Sequence, residues 1–182
     1  MSVPLSAIKS LREKTGAPIG DVRSALEAAK GNETKATEIL KQRGLEAARK
    51  RQDRAAGMGR VDSYIHHDGR VGCLVEINCE TDFVARLSEF QQFCRDVAMQ
   101  VASQRPLFIR KEEVSAQQLE DAKKVGKTPE ELARELCLLE QSFIKDSGQT
   151  IGQYLTSMIA KTGENIVIRR FTRFALGEDS RS

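Results

Sequence analysis

Between residues 71 and 101 the hydrophobic pattern changes period once, and that change limits what the segment can fold into. Val71, Cys73, Val75 and Ile77 alternate with Gly72, Leu74, Glu76 and Asn78, the two-residue period of a half-buried strand. Phe90, Phe93, Cys94, Val97, Ala98 and Val101 then recur at helical spacing, the stripe of a helix that buries one face. The run Glu80-Thr81-Asp82-Phe83-Val84-Ala85-Arg86 joins the two. It sets a carboxylate beside a bare phenyl ring where a strand turns into a helix, and loops held by a rigid scaffold are where binding residues collect. Phe83 taken alone has a structural reading as well, as a hydrophobic staple or core plug.

The rest of the chain follows similar signals. Residues 4–43 carry three short helical patterns, each stopped by a glycine: Gly16, Gly31 and Gly44. Ser6 and Asn32 are candidate caps of the first and third, and Pro18 suits the first turn of the second. Ile8, Leu11, Val22, Ala25, Leu26, Ala29, Ala36, Ile39 and Leu40 face inward. Leu45 to Ala56 favours helix and breaks at Gly57-Met58-Gly59, a linker. Val61 to His67, an Asp68-Gly69 turn of type I′ and Arg70 to Cys79 read as a β-hairpin. Thr128-Pro129-Glu130-Glu131 is a capping box opening a helix that carries Leu132, Leu136, Leu139 and Phe143. Thr150 caps a last helix with Ile151, Tyr154, Leu155, Met158 and Ile159 inward. Asn165 to Leu176 is a final strand whose adjacent Arg169 and Arg170 break its parity, which calls for a bulge. Residues 107–127 give no regular pattern.

The expected class is α+β: an N-terminal three-helix bundle, a linker helix, then a small, mostly antiparallel sheet packed with helices. The expected divisions are a bundle at 1–44, a linker at 45–60, a core at 61–177 and a polar tail at 178–182.

Composition narrows the function classes. Of 182 residues 40 % are apolar and 30 % charged, a balance suited to a packed core with a solvated surface. No apolar run nears the roughly 18 residues of a membrane span. Met1-Ser2-Val3-Pro4-Leu5 lacks a basic segment followed by an apolar stretch, so no secretory signal is expected. The expected location is the cytoplasm, or an organellar matrix or stroma if a targeting segment was removed. A net charge of +3 does not by itself imply nucleic-acid binding. The local basic excess from Lys41 to Arg54 reads first as a solvated helix. Cys73, Cys79, Cys94 and Cys137 form no C-x-x-C pair and fall within apolar patterns, as reduced core thiols do. No metal ligand, cofactor or catalytic residue is assigned.

Several separate strings resemble one family. Leu11 to Ala17, Asp21, Ala25-Leu26 and Ala28 to Asn32 are similar to the opening of the elongation factor Ts family. Asn78-Cys79-Glu80 leading into Thr81 to Arg86 resembles its signature, and Glu140 to Asp146, Thr150 to Leu155 and Glu164 to Phe174 resemble its later strings in the same order. Leu87-Ser88 departs from it where a polar residue is usual, and Pro18-Ile19-Gly20 departs where paired methionines are common. One core copy matches the short form.

The resemblance implies a guanine-nucleotide exchange factor for elongation factor Tu in its GDP form, without covalent catalysis. It implies that Phe83 enters the GTPase near the partner's metal site. Asp82 would hold the rearranged backbone or side chains, while Thr81 and Val84 set the loop. It also implies that the bundle docks on the partner's nucleotide-binding domain, with Ala17, Ile19, Gly20, Asp21 and Val22 as candidates. Ile19 and Val22 read equally well as core, and Asp21 as a helix cap. A homodimer through the C-terminal core is expected, since a three-stranded sheet leaves two edges exposed. Three other classes stay open on the residues alone. They are a ubiquitin-associated-like adaptor, an RNA- or ribosome-associated protein using Lys41 to Arg54, and a thiol enzyme pairing a cysteine with His66 or His67.

Overall fold

The computed structural model describes residues 3–178, so positions 179–182 of the expected tail lie outside the described residues. The described chain is α+β and divides into two compact units.

The first unit holds the chain up to Ala55 together with Leu155–Ile166. Its helices are α1 (Leu5–Thr15), α2 (Ile19–Ala28) and α3 (Glu33–Arg51). Ile8, Leu11, Val22, Ala25, Leu26, Ala36 and Leu40 form one buried cluster, the apolar stripes that the spacing predicts. The Asn32 side chain accepts the Lys35 N–H at 3.0 Å and caps α3. Ser6 does not cap α1; the helix starts after Pro4, with no side-chain cap, and Ser6 lies inside its first turn.

Nor does α3 stop at Gly44. It runs on to Arg51, through half of the expected linker. Gly44 is a buried residue inside the helix. A Cβ at position 44 would lie 3.6 Å from the Thr156 methyl group and 3.8 Å from the Ala160 Cβ. Both belong to α8 (Ile151–Thr162), whose residues from Leu155 onward sit in this unit. Those are ordinary contact distances, and Gly44 keeps a φ outside the positive region, so the left-handed turn by which a glycine ends a helix is not made here. Arg51 then donates through Nε to the Gly163 carbonyl at 2.8 Å, tying the end of α3 to the end of α8.

The second unit is built on strands β1 (Met58–Ile65) and β2 (Val71–Cys79) and, after α8, strand β5 (Val167–Ala175). They form an antiparallel sheet in the order β1-β2-β5, with β2 in the centre. Cys73, Val75, Ile77 and Cys79 are buried on one face, where α5 (Ser88–Gln104) packs across β1 and β2. Phe90, Phe93, Cys94, Val97, Ala98 and Val101 of α5 are all fully buried. The bulge is present: Glu76 pairs with Arg170 and Ile77 with Ile168, leaving Arg169 as the extra residue.

The hairpin turn is not type I′. His66 donates to the Val71 carbonyl and Gly69 to the His66 carbonyl, each at 2.8 Å, so the loop is two residues longer than expected. Gly69 takes φ +69° while Asp68 keeps a negative φ, whereas type I′ needs both positive.

Between α5 and α8 the chain forms α6 (Ala116–Lys124), α7 (Pro129–Leu136) and a short hairpin of β3 (Ser142–Phe143) and β4 (Asp146–Thr150). The Thr128 box is formed: Thr128 Oγ1 accepts the Glu131 N–H, and the Glu131 carboxylate accepts the Thr128 N–H. Its helix nevertheless ends at Leu136, so Leu139 falls in a 3₁₀ turn and Phe143 in β3. Thr150 and Gln153 make the equivalent reciprocal pair at the start of α8.

Buried Asp96 of α5 anchors the β3–β4 hairpin. Its carboxylate accepts Lys145 Nζ at 2.7 Å, Gln92 Nε2 at 2.9 Å and the Tyr154 hydroxyl at 3.2 Å. Burial and this neighbouring carboxylate push the Tyr154 phenol well above its ordinary range, so it stays a donor. Phe93 meets the Tyr154 ring edge-on and Phe143 stacks on it.

Candidate functional site

The segment after β2 is one short helix, α4 (Asp82–Arg86). Thr81 starts it in extended conformation, and its hydroxyl accepts the Val84 N–H at 3.4 Å, the geometry of an N-cap. The Thr81 carbonyl accepts the Ala85 N–H at 3.3 Å and the Cys79 thiol at 3.1 Å. The cap is thereby fastened to the last buried residue of the central strand. Asp82 lies in the first turn, where a negative charge suits the helix dipole, and Arg86 Nη2 reaches its carboxylate at 2.8 Å.

The two faces of α4 differ sharply. Val84 is 7 % and Ala85 8 % exposed, so these two seat the helix on the core. Phe83 is 77 % exposed, the highest value among the large apolar side chains of the described residues. The core-plug reading therefore fails: a plug ring would be buried. Leu87 follows at 42 % exposed, and the Gln91 side chain reaches back to the Arg86 carbonyl at 3.2 Å. Sequence reasoning marked Leu87 only as a departure from the family pattern. Leu87 lies just outside α4 in extended conformation, so its spacing of four from Phe83 is not the spacing of helix neighbours.

The second candidate group falls at the start of α2. Pro18 precedes the helix, so Asp21 is a first-turn residue and not the cap. Ile19 is 54 % exposed, and Gly20 and Asp21 are exposed, while Ala17 is half-buried against the bundle core. Val22 is fully buried in that core and offers no surface to a partner. Ala17 and Asp21 also line a cavity of about 270 Å³ with Arg43 and Gly44 of α3 and Lys161 of α8, all within the first unit.

All four cysteines are buried and outside any disulfide. Burial pushes the Cys73 and Cys94 thiols up to about 12 and the Cys137 thiol in the same direction, the opposite of what a nucleophile needs. His66 Nδ1 is engaged by the Tyr64 hydroxyl at 3.0 Å. Among the described residues no helix is long and apolar enough to cross a membrane.

A family model described as elongation factor TS matches residues 14–132, a span that takes in α2, α3, the β1–β2 hairpin, α4 and α5 but little of α1. The chain belongs to the elongation factor Ts family. It is 48 % identical to elongation factor Ts of Carboxydothermus hydrogenoformans, over 94 % of this chain and 88 % of that one. It is 45 % identical to that of Caldanaerobacter subterraneus subsp. tengcongensis, over 97 % and 98 % of the two chains. The corresponding protein of Rubrobacter xylanophilus is 42 % identical, over 97 % of this chain and its own full length. The role that follows is that of a translation elongation factor.

Proposed function

We propose that this chain is a guanine-nucleotide exchange factor for elongation factor Tu, acting on its GDP-bound form. The observation that carries the reading is Phe83: a fully presented ring on a short helix that is capped, ion-paired and seated on the core. Such a ring is pre-aimed and loses little freedom on insertion. Burying one removes about 150–250 Å² from water, which is available to stabilise a rearranged partner. A GTPase holds its nucleotide through the phosphate loop and Mg²⁺. A factor that binds only where those contacts are disturbed weakens the nucleotide by the same factor by which the nucleotide weakens it. Each tenfold loss of nucleotide affinity requires about 1.4 kcal/mol of that coupling.

In this reading Phe83 is the wedge, Asp82 engages the displaced partner groups, and Thr81 and Val84 fix the angle of α4. Ala17, Ile19, Gly20 and Asp21 form the docking patch. The Mg²⁺ belongs to the partner. No covalent step, cofactor, membrane or direct nucleic-acid contact is required, and the compartment is the cytoplasm. Release of labelled GDP from elongation factor Tu, with and without this chain, tests the reading. An unchanged release rate at saturating chain refutes it.

The free chain is proposed to be a homodimer. Both sheet edges discourage strand addition by a second copy: β1 points Arg60 and Asp62 to the inner face, and Arg169 and Arg170 on β5 would meet the same arginines of the other chain. The outer face instead shows Val61, Ile65, Leu74 and Phe174, all exposed, across three strands. A two-fold axis sets such a face against itself, which suits an apolar surface.

A further inference from the structure

A cavity of about 560 Å³ lies within the second unit, on strand β5, and none of the roles above uses it. Residues 167–170 line it consecutively, together with Glu76, Arg110 and Glu113. Val167 and Ile168, before the bulge, point to opposite faces, so a cavity touching both reaches round the strand's edge. That edge is the open one, because β5 is the terminal strand of the order β1-β2-β5. The bulge at Arg169 sets it and Arg170 beside one carboxylate: Arg170 Nε lies 2.6 Å from Glu76 Oε2, and Arg169 Nε 3.8 Å from Oε1.

The charges around the cavity do not cancel. Glu76 is shared between two guanidinium groups whose side chains are 80 % and 67 % exposed. Arg110 makes no ion pair among the described residues, and the Glu113 carboxylate accepts the backbone N–H groups of Ile109 and Arg110 at 3.2 Å each. Three arginines against two carboxylates leave one positive charge in excess (3 − 2 = 1).

We propose that this cavity binds an extended acidic segment of a protein partner, its backbone along β5 and its carboxylates on Arg110, Arg169 and Arg170. Guanidinium forks match carboxylates in two-point geometry, which an ammonium cannot do. An open strand edge supplies the backbone partners for strand addition. A second copy of the same strand would bring arginine against arginine, so the edge selects for acidic sequence. The inference does not depend on the exchange reading.

The test uses a short fluorescent peptide alternating glutamate with valine, titrated with the full chain at low and physiological salt. Saturable binding is expected, weaker at higher salt because the arginines are exposed. It should fall about tenfold or more in the Arg169→Ala, Arg170→Ala double variant, and markedly when the peptide backbone is N-methylated. The Arg169→Lys, Arg170→Lys variant keeps the charge and removes the fork, so a comparable loss there supports the two-point contact. Equal binding by the alanine variant, equal binding of a lysine–valine peptide, or binding of inorganic phosphate alone without the peptide overturns the proposal. Circular dichroism of each variant guards against misfolding.

Discussion

Arg86 Nη2 stands 2.8 Å from the Asp82 carboxylate, one helical turn away along α4. The pair brackets Phe83 and braces the helix that presents it. Both side chains are well exposed, so their mutual attraction contributes only about 0–1 kcal/mol to stability. Asp82→Ala should leave the unfolding midpoint almost unchanged and lower stimulated GDP release. A large loss of stability in denaturant titration would show that Asp82 has a structural rather than a partner-facing role.

Phe83→Ala separates presentation from packing. A buried phenylalanine cut to alanine costs about 3–5 kcal/mol. An exposed one changes stability by about 0.5 kcal/mol or less. The expected outcome is the small change, together with a substantial fall in the rate of stopped-flow GDP release at saturating chain.

Ile19→Asp tests the docking patch without cutting the fold. The side chain is more than half exposed, so the bundle should stay intact. Affinity for elongation factor Tu, read by calorimetry, should weaken, while release at saturating concentration stays near the parent rate because α4 is untouched. A lower saturating rate with unchanged affinity would reverse this division of labour.

Stability should decline in alkali in a defined window. The Cys73 and Cys94 thiols start from an ordinary value of 9.0 in the unfolded chain and stand at about 12 when folded. Between those values the native state holds protons that the unfolded state releases, so unfolding free energy falls as pH rises through the window and is insensitive to these groups below it. Denaturant midpoints across pH 7 to 11 would measure this. Aromatic disulfide reagents should likewise react slowly with the native chain and fast after unfolding.

Leu74→Asp places a charge at the centre of the outer sheet face, opposite Ser63 and Thr172. Light scattering at micromolar concentration should give a dimer for the parent and 20.2 kDa, the mass of one chain, for the variant. A parent at that lower mass throughout refutes the dimer.

The elements with a sustained period were legible in the sequence. β2 and α5 each repeat one pattern over several residues, and every buried position of α5 expected from spacing is buried. Elements governed by distant neighbours were not legible. Gly44 looks like a stop, yet it lies buried inside α3 with Thr156 and Ala160 beside it. The β3–β4 hairpin has strands too short to alternate, and Leu139 and Phe143 happen to continue the helical spacing of α7. At the site, residue types and order pointed to Thr81 to Val84 as the join between strand and helix, and the structure forms a capped helical turn there. The exposure of Phe83 and the burial of Val22 depended on packing that one sequence does not display.

Leu87 closes α4 and opens α5 with a single φ of −62° and ψ of 134°, so no spare residue separates the two helices. Only Glu80 and Thr81 lie between β2 and α4. The segment therefore has a fixed length as well as a fixed composition. Each residue added to a helix turns its successors by roughly 100°. One insertion after Thr81 would swing the phenyl ring from solvent toward the core and bring a seating residue outward. Transplanting this segment to another scaffold would thus require carrying the end of β2 and the start of α5 with it, because the aim of the ring is encoded in their spacing.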